Sequence, residues 1–255
     1  MKLTLLQRPA HTSVDDFETQ LQKEFSMLES GLSAQAKIAG FSKGGWVQVD
    51  VTGEDHEILE ELISRQFNLA ITNLSQIELF GSYSGLVASR YKNLLEVDVG
   101  VEIPALVRVQ IGVGAMRSQL CDGKQLSMEE LTDTYSLHPE TRIVVRISSI
   151  KTASRLVEGW LADAQIKSLS EEIVAGLQCV RIYHCTRMQV EYAVKRANLE
   201  RDIVTIDSPT ITTQSVVCKL GTDAVGLIPR LGSVLRKSQL EPFIPTRVIS
   251  RCREW

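Results

Sequence analysis

No stretch of this 255-residue chain approaches the roughly 18 apolar residues in a row that a membrane-spanning helix needs. Residues Met1 to Pro9 are too short and too soon interrupted for a secretory signal. A cytoplasmic protein with no membrane partner is expected. Cysteine is sparse. Cys121, Cys179, Cys185, Cys218 and Cys252 are odd in number and scattered, and no Cys-x-x-Cys occurs. That pattern suits reduced thiols better than a disulfide frame or a zinc site. His11, His56, His138 and His184 stand far apart and lack metal-ligand spacing. The chain has no Gly-x-x-x-x-Gly-Lys-Ser/Thr phosphate loop and no Gly-x-Ser-x-Gly elbow. Glu54-Asp55 and Glu60-Glu61 fit a helix start and a polar helix face. No residue set supports a catalytic mechanism, so a non-enzymatic protein without metal or cofactor is expected.

What is present is an ordinary globular composition, 44% hydrophobic and 23% charged, which excludes a disordered chain. The length admits two domains or three small ones. The net charge of −3 conceals a gradient. Residues 1–80 hold 6 Lys/Arg against 12 Asp/Glu, residues 81–150 hold 7 against 8, and residues 151–255 hold 15 against 11. A polyanion would dock more easily on the C-terminal part.

Periodicity divides the chain into three modules, an α+β whole. In residues 1–80, a strand over 2–7 precedes a helix with Phe17, Leu21, Phe25 and Leu28 at helical spacing. A strand follows at Trp46–Val51, then a helix with Ile58, Leu59, Leu62, Ile63 and Phe67. This is an acidic β-α-β-α module. Residues 81–150 are rich in β-branched residues and glycine. Strands are expected at Leu86–Ser89, Leu94–Val101, Ala105–Ile111 and Arg142–Ile147, with short helices at Met116–Leu120 and Ser127–Tyr135. Ser127-Met128-Glu129-Glu130 is a capping box. The outline is that of a small OB-like β-barrel; a small β-rich insert of another kind is the alternative. In residues 151–255, helical spacing over Ala153–Leu177 uses Leu156, Trp160, Leu161, Ile166 and Ile173. Then strands at Val180–Cys185, Arg201–Ile206, Gln214–Leu220 and Phe243–Ser250 alternate with helices at Arg187–Leu199 and Asp223–Lys237. That βαββαβ order is the ferredoxin-like, split βαβ pattern.

Two places could bind something. Tyr83, Arg90, Tyr91, Lys92, Arg108 and Arg117 interleave rings and cations in the barrel module. Single-stranded RNA is held that way, bases on rings and phosphates on Arg and Lys. Barrel-edge packing and solvated cations are the alternative. Arg181, Arg187, Lys195 and Arg196 would add a basic face from the last module. The second place is the turn Lys219-Leu220-Gly221-Thr222-Asp223, which opens a helix. Free N–H groups there suit an anion or small ligand. The alternative is that Thr222 or Asp223 caps the helix itself. Asp223–Ile228 also has the look of the Asp-x-Pro-Gly-Leu turn of ligand-sensing ACT domains, with Val225 in place of proline.

The strings Trp46–Asp55, Val97–Val101, Arg117–Lys124, Ala193–Ala197, Arg201-Asp202-Ile203 and Cys218–Ala224 occur in this order. Together they resemble an archaeal family of uncharacterised proteins, domain of unknown function 2110. Cys218-Lys219-Leu220-Gly221-Thr222-Asp223-Ala224 is the most specific of them. Family members tend to carry proline where Val225 stands. The resemblance implies an archaeal cytoplasmic protein and no activity. The function expected first is an RNA-binding or ribonucleoprotein-associated factor near the translation or transcription machinery. The alternatives are a protein-interaction or assembly module, and a small-ligand sensor using Gly221–Ala224.

Overall fold

The computed structural model describes residues 2–252. In chain order the first elements are β1 (Lys2–Thr4), α1 (Val14–Leu28), β2 (Ala34–Phe41), β3 (Val47–Gly53) and α2 (His56–Phe67). The three strands form an antiparallel sheet in the order β1-β3-β2. Val47, Val49 and Val51 alternate into the core, as a half-buried strand requires. Phe17, Leu21 and Phe25 of α1 and Leu59, Ile63 and Phe67 of α2 close over them. The β-α-β-α expectation omitted β2. Its inward positions, Ala34 and Ala36, are small and give a faint apolar signal.

The middle of the chain contains β4 (Ser82–Tyr91), β5 (Leu94–Asp98), β6 (Val109–Gly112), α3 (Val113–Leu120), α4 (Met128–Thr134), β7 (Arg142–Lys151) and β8 (Leu156–Leu161). The strands form a closed barrel in the order β4-β5-β6-β8-β7. Only β6 and β8 run parallel; the other pairs are antiparallel. The α3–α4 segment fills the crossover between β6 and β7. Ser127 and Glu130 form the capping box at the start of α4. Leu95, Val97, Val109, Ile111, Val145, Ile147 and Val157 meet inside.

Strand β8 corrects the sequence expectation of a helix there. Val157, Gly159 and Leu161 face inward, while Leu156, Glu158 and Trp160 face outward, a period of two. Gly159 is pressed between neighbours: a Cβ there would lie 2.7 Å from the Arg146 carbonyl oxygen. The barrel therefore reaches Leu161, beyond the expected end at residue 150.

The rest comprises α5 (Asp163–Ala175), β9 (Cys179–Tyr183), α6 (Arg187–Arg196), β10 (Ile203–Asp207), β11 (Thr213–Cys218), α7 (Ala224–Gly232), β12 (Gln239–Phe243) and α8 (Pro245–Cys252). Gly176, at φ 69°, ends α5 in the left-handed conformation that glycine adopts without strain. The sheet order is β10-β11-β9-β12, antiparallel throughout. Val180, Ile182, Val216 and Cys218 point to the face covered by α6 and α7. Cys179 and Phe243 point the other way and join the barrel core, along with Val248 and Cys252 of α8. The expected strand over 243–250 is thus a strand end followed by a helix. Pro245 sits in the first turn of α8, where its missing N–H costs nothing.

All five cysteines are buried and free. Burial pushes Cys185 up to about 12 and Cys218 up to about 11. The thiolate is the reactive form, so these groups should be inert. Ellman's reagent at pH 8 is expected to label none of the five in the native protein and all of them after denaturation. Fast labelling of the native protein would contradict this packing.

Candidate nucleic-acid interface

The structure separates the ring-and-cation candidates into packed and exposed groups. Tyr83 is packed: its hydroxyl accepts the Glu78 N–H at 2.8 Å and donates to the Gln76 carbonyl at 3.2 Å. Arg90 donates to Thr132 at 2.7 Å and Asp133 at 2.8 Å, and pairs with Glu129 at 3.3 Å. Arg108 pairs with Glu96 at 3.1 Å. The Ser89 hydroxyl and Arg108, acting against partial burial, hold the Glu96 carboxyl below its ordinary range. Arg117 is tied to the Leu126 carbonyl at 2.7 Å and to Gln125 at 2.8 Å, which fixes the α3–α4 loop. These cations are committed to the protein.

The basic face expected from the last module is smaller than its sequence suggests. Arg181 is buried and donates to the Tyr135 and Ser136 carbonyls at 3.2 and 3.0 Å and to Glu172 at 2.7 Å. It is an internal tie. Arg187 pairs with Glu191 one turn along α6. Lys195 and Arg196 are exposed, and Arg196 donates to the Tyr192 hydroxyl at 2.8 Å.

Tyr91 and Lys92 remain, at the tip of the β4–β5 hairpin. Tyr91 is 62% exposed, and the Lys92 ammonium lies 5.3 Å from its ring centre. Strand register shows what stands beside them. Tyr91 pairs with Leu94, and Leu94 with Gly112. Ile111 pairs with Gly159 in the parallel step, which sets Gly112 beside Trp160. Trp160 in turn pairs with Arg146. Tyr91, Leu94, Gly112, Trp160 and Arg146 therefore form one row across the barrel's outer surface. Trp160 is 36% exposed. A Cβ at Gly112 would meet nothing within 4 Å, so the middle of the row is open. Three strand spacings separate the two rings, roughly 14 Å along the surface. Arg146 contacts Asp163 at 3.7 Å, and the Asp163 side chain is largely solvated, so the pair is weak and the guanidinium can exchange partners.

Trp160, Gly112 and Arg146 were not sequence candidates for this face. The period-two pattern of Leu156–Leu161 held the signal. It was obscured because Leu156 and Trp160 also stand four apart, at helical spacing.

The Gly221–Asp223 turn has little left to offer an anion. Asp223 accepts the N–H groups of Val225 and Gly226 at 3.2 and 3.0 Å. Gln178 accepts that of Ala224 at 3.0 Å, and the Thr222 N–H goes to the Lys219 carbonyl at 3.0 Å. Lys219 itself is exposed. The helix is capped by its own side chain, as an N-cap aspartate commonly does, and an incoming anion would face that carboxylate.

Residues 178–241 match the model of the DUF2110 C-terminal domain. Within the matched residues fall β9, β10, β11, α6, α7, the capped turn and the start of β12. Among curated proteins, none matches this chain. A solved structure with some likeness is the crystal structure of the a/eIF2alpha-aDim2p-rRNA complex from Pyrococcus horikoshii OT3. The match has 8% identity and a TM-score of 0.26, and covers 48% of this chain and 64% of that chain. A likeness at that level says nothing about what this chain does. Among the described residues, no helix is long and apolar enough to cross a membrane.

Proposed function

We propose that this protein is a non-enzymatic factor that binds single-stranded RNA on the outer face of its barrel. We read the barrel as an OB-type module and the C-terminal sheet as ferredoxin-like. Five strands in the order β4-β5-β6-β8-β7, a parallel β6/β8 pair and a helical crossover before the fourth strand support the first. The βαββαβ order with β9 and β11 central supports the second. OB-type modules bind oligonucleotides across their second and third strands and the loop between the first two. In this chain those parts are β5, β6 and the Tyr91–Asn93 hairpin tip.

The observation that carries the proposal is the open row from Tyr91 to Trp160. Two exposed rings flank Leu94 and the bare Gly112, and a cation stands at each end, Lys92 and Arg146. Bases stack on such rings with little regard to sequence.

Most cations nearby are already neutralised, so few phosphates can be contacted. With two or three contacts on a single strand, affinity should fall about 5- to 20-fold between 50 and 200 mM salt. Fluorescence anisotropy with a labelled uridine 12-mer and its adenosine counterpart tests this. Saturable binding with that shallow slope is expected for both. No binding at 50 mM salt would end the proposal.

A further inference from the structure

The face of the C-terminal sheet turned away from α6 and α7 does not pack tightly against the barrel. A cleft of about 440 Å³ lies between that face, the start of β7 and α5. Its size falls within the roughly 300–1,000 Å³ usual for small-molecule sites. Cys179, Arg181 and Tyr183 of β9 and Thr213, Ser215 and Val217 of β11 line its floor. Leu169, Ala164 and Phe243 supply apolar walls.

One lining residue is out of balance. Arg142, the first residue of β7, is partly buried and has no hydrogen bond or ion pair among the described residues. Burial lowers its pKa, and nothing nearby opposes the shift. The other charged groups of the cleft are accounted for. Arg181 is paired with Glu172 at 2.7 Å. Asp207 stands exposed at the rim and takes the Thr205 hydroxyl at 3.2 Å. Gln165 uses its carbonyl oxygen on the Val144 N–H at 2.9 Å, and its amide donors have no partner among the described residues. The Arg142 nitrogens keep some contact with water but have no protein acceptor among the described residues, so the guanidinium is available to a ligand. An arginine fork is shaped to take a carboxylate through two parallel bonds.

We propose that this cleft binds a small monoanionic organic acid. Arg142 takes the carboxylate, Gln165 assists from α5, and the apolar body rests on Leu169, Val217 and Phe243. The free donor selects the class. Arg181 is held by Glu172 and Asp207 stands exposed at the rim, so Arg142 is the one lining guanidinium with no acceptor among the described residues, and its fork takes one carboxylate. A dianionic phosphate would leave an excess charge in an apolar cleft. This inference is independent of RNA binding.

Calorimetric titration of the full chain with octanoate and benzoate, against octanamide, benzamide and inorganic phosphate, tests it. One of the acids should bind saturably with Kd below about 1 mM. Its amide should bind roughly tenfold or more weakly, because it loses the charge-assisted pair. Arg142→Gln should abolish the preference for the acid over its amide, while Arg142→Lys should retain part of it. The ligand-free Arg142→Gln protein should melt no lower than the parent, since no protein hydrogen bond or ion pair among the described residues is lost. Failure of both acids to saturate, equal affinity for acid and amide, or tighter binding of phosphate would overturn the assignment. So would a fall in the ligand-free melting temperature of Arg142→Gln, which would mark Arg142 as part of the fold.

Discussion

Arg8→Ala should destabilise the protein by about 3–5 kcal/mol, the usual result when one partner of a buried ion pair is removed. Arg8 leaves the N-terminal sheet and enters the barrel's end. Its Nε and Nη2 meet the two oxygens of Glu140 at 3.2 and 2.6 Å, and Nη1 meets Asp98 at 3.4 Å. The guanidinium also lies 4.8 Å from the Trp46 ring centre. Side-chain exposure is 17% for Arg8, 11% for Glu140 and 3% for Asp98, so little water reaches the cluster. Burial works to lower the Arg8 pKa, but Glu140 and Asp98 outweigh it and the net direction is up. Burial pushes the Asp98 carboxyl up, against the Gly100 N–H and Arg8.

Without Arg8 the two carboxylates would share a dry site with no cation. The same cluster joins all three parts of the chain. The Glu140 carbonyl accepts the Thr213 hydroxyl at 3.2 Å, and Gln7, next to Arg8, spans from the Phe67 carbonyl to the Ile211 N–H. Urea unfolding at pH 7 measures the loss, and a melting midpoint lower by roughly 6–20 °C accompanies it. The sign with pH is fixed. Burial raises the Asp98 carboxyl even with Arg8 opposing it, and loss of Arg8 removes that opposition. Asp98 should therefore take up a proton more readily in the variant as the pH falls, which relieves the unpaired charge. The gap between parent and Arg8→Ala should therefore narrow as the pH falls toward 5. A loss below about 1 kcal/mol at pH 7 would mean the cluster is solvated.

Parts of this architecture were legible because local chemistry and tertiary structure agree. Thr186 caps α6 and Asp223 caps α7, and each helix begins where those residues stand. The valines of β3 and the alternating apolar residues of β9 and β11 point where period two puts them. Legibility failed where one segment satisfies two periods. Leu156–Leu161 reads as helix from Leu156 and Trp160, but as strand from Val157, Gly159 and Leu161. Phe243–Ser250 is rich in β-branched residues, yet Pro245 can start a helix, and Val248 and Cys252 share its buried face. Side-chain commitment was beyond the sequence. Arg90 finds its carboxylates 39 and 43 residues away, and Arg181 finds carbonyls 45 and 46 residues back. Arg142 and Arg146 differ by four positions on one strand, and only the fold leaves the first without a partner.

Replacing both rings of the barrel row should remove most RNA affinity. Stacking of a base on an aromatic side chain is worth about 1–3 kcal/mol. Tyr91→Ala/Trp160→Ala is therefore expected to cost roughly 2–6 kcal/mol, at least about a 30-fold rise in Kd. Tyr91 stands at a hairpin tip and is largely exposed, so its removal alone should leave folding intact. Trp160 is more enclosed, and Trp160→Phe keeps a ring there should the alanine variant melt early. Tyr83→Phe is the internal control. It removes a hydroxyl that bonds only within the protein, so binding should be unchanged.

The decisive measurement is the Kd of the labelled uridine 12-mer at 50 mM salt for the parent, Tyr91→Ala and Tyr91→Ala/Trp160→Ala, with folding checked by circular dichroism. Stepwise weakening across the three, with Tyr83→Phe matching the parent, is the result expected if the row binds RNA. Equal affinity for all of them would show that RNA, if bound at all, lies elsewhere on the molecule.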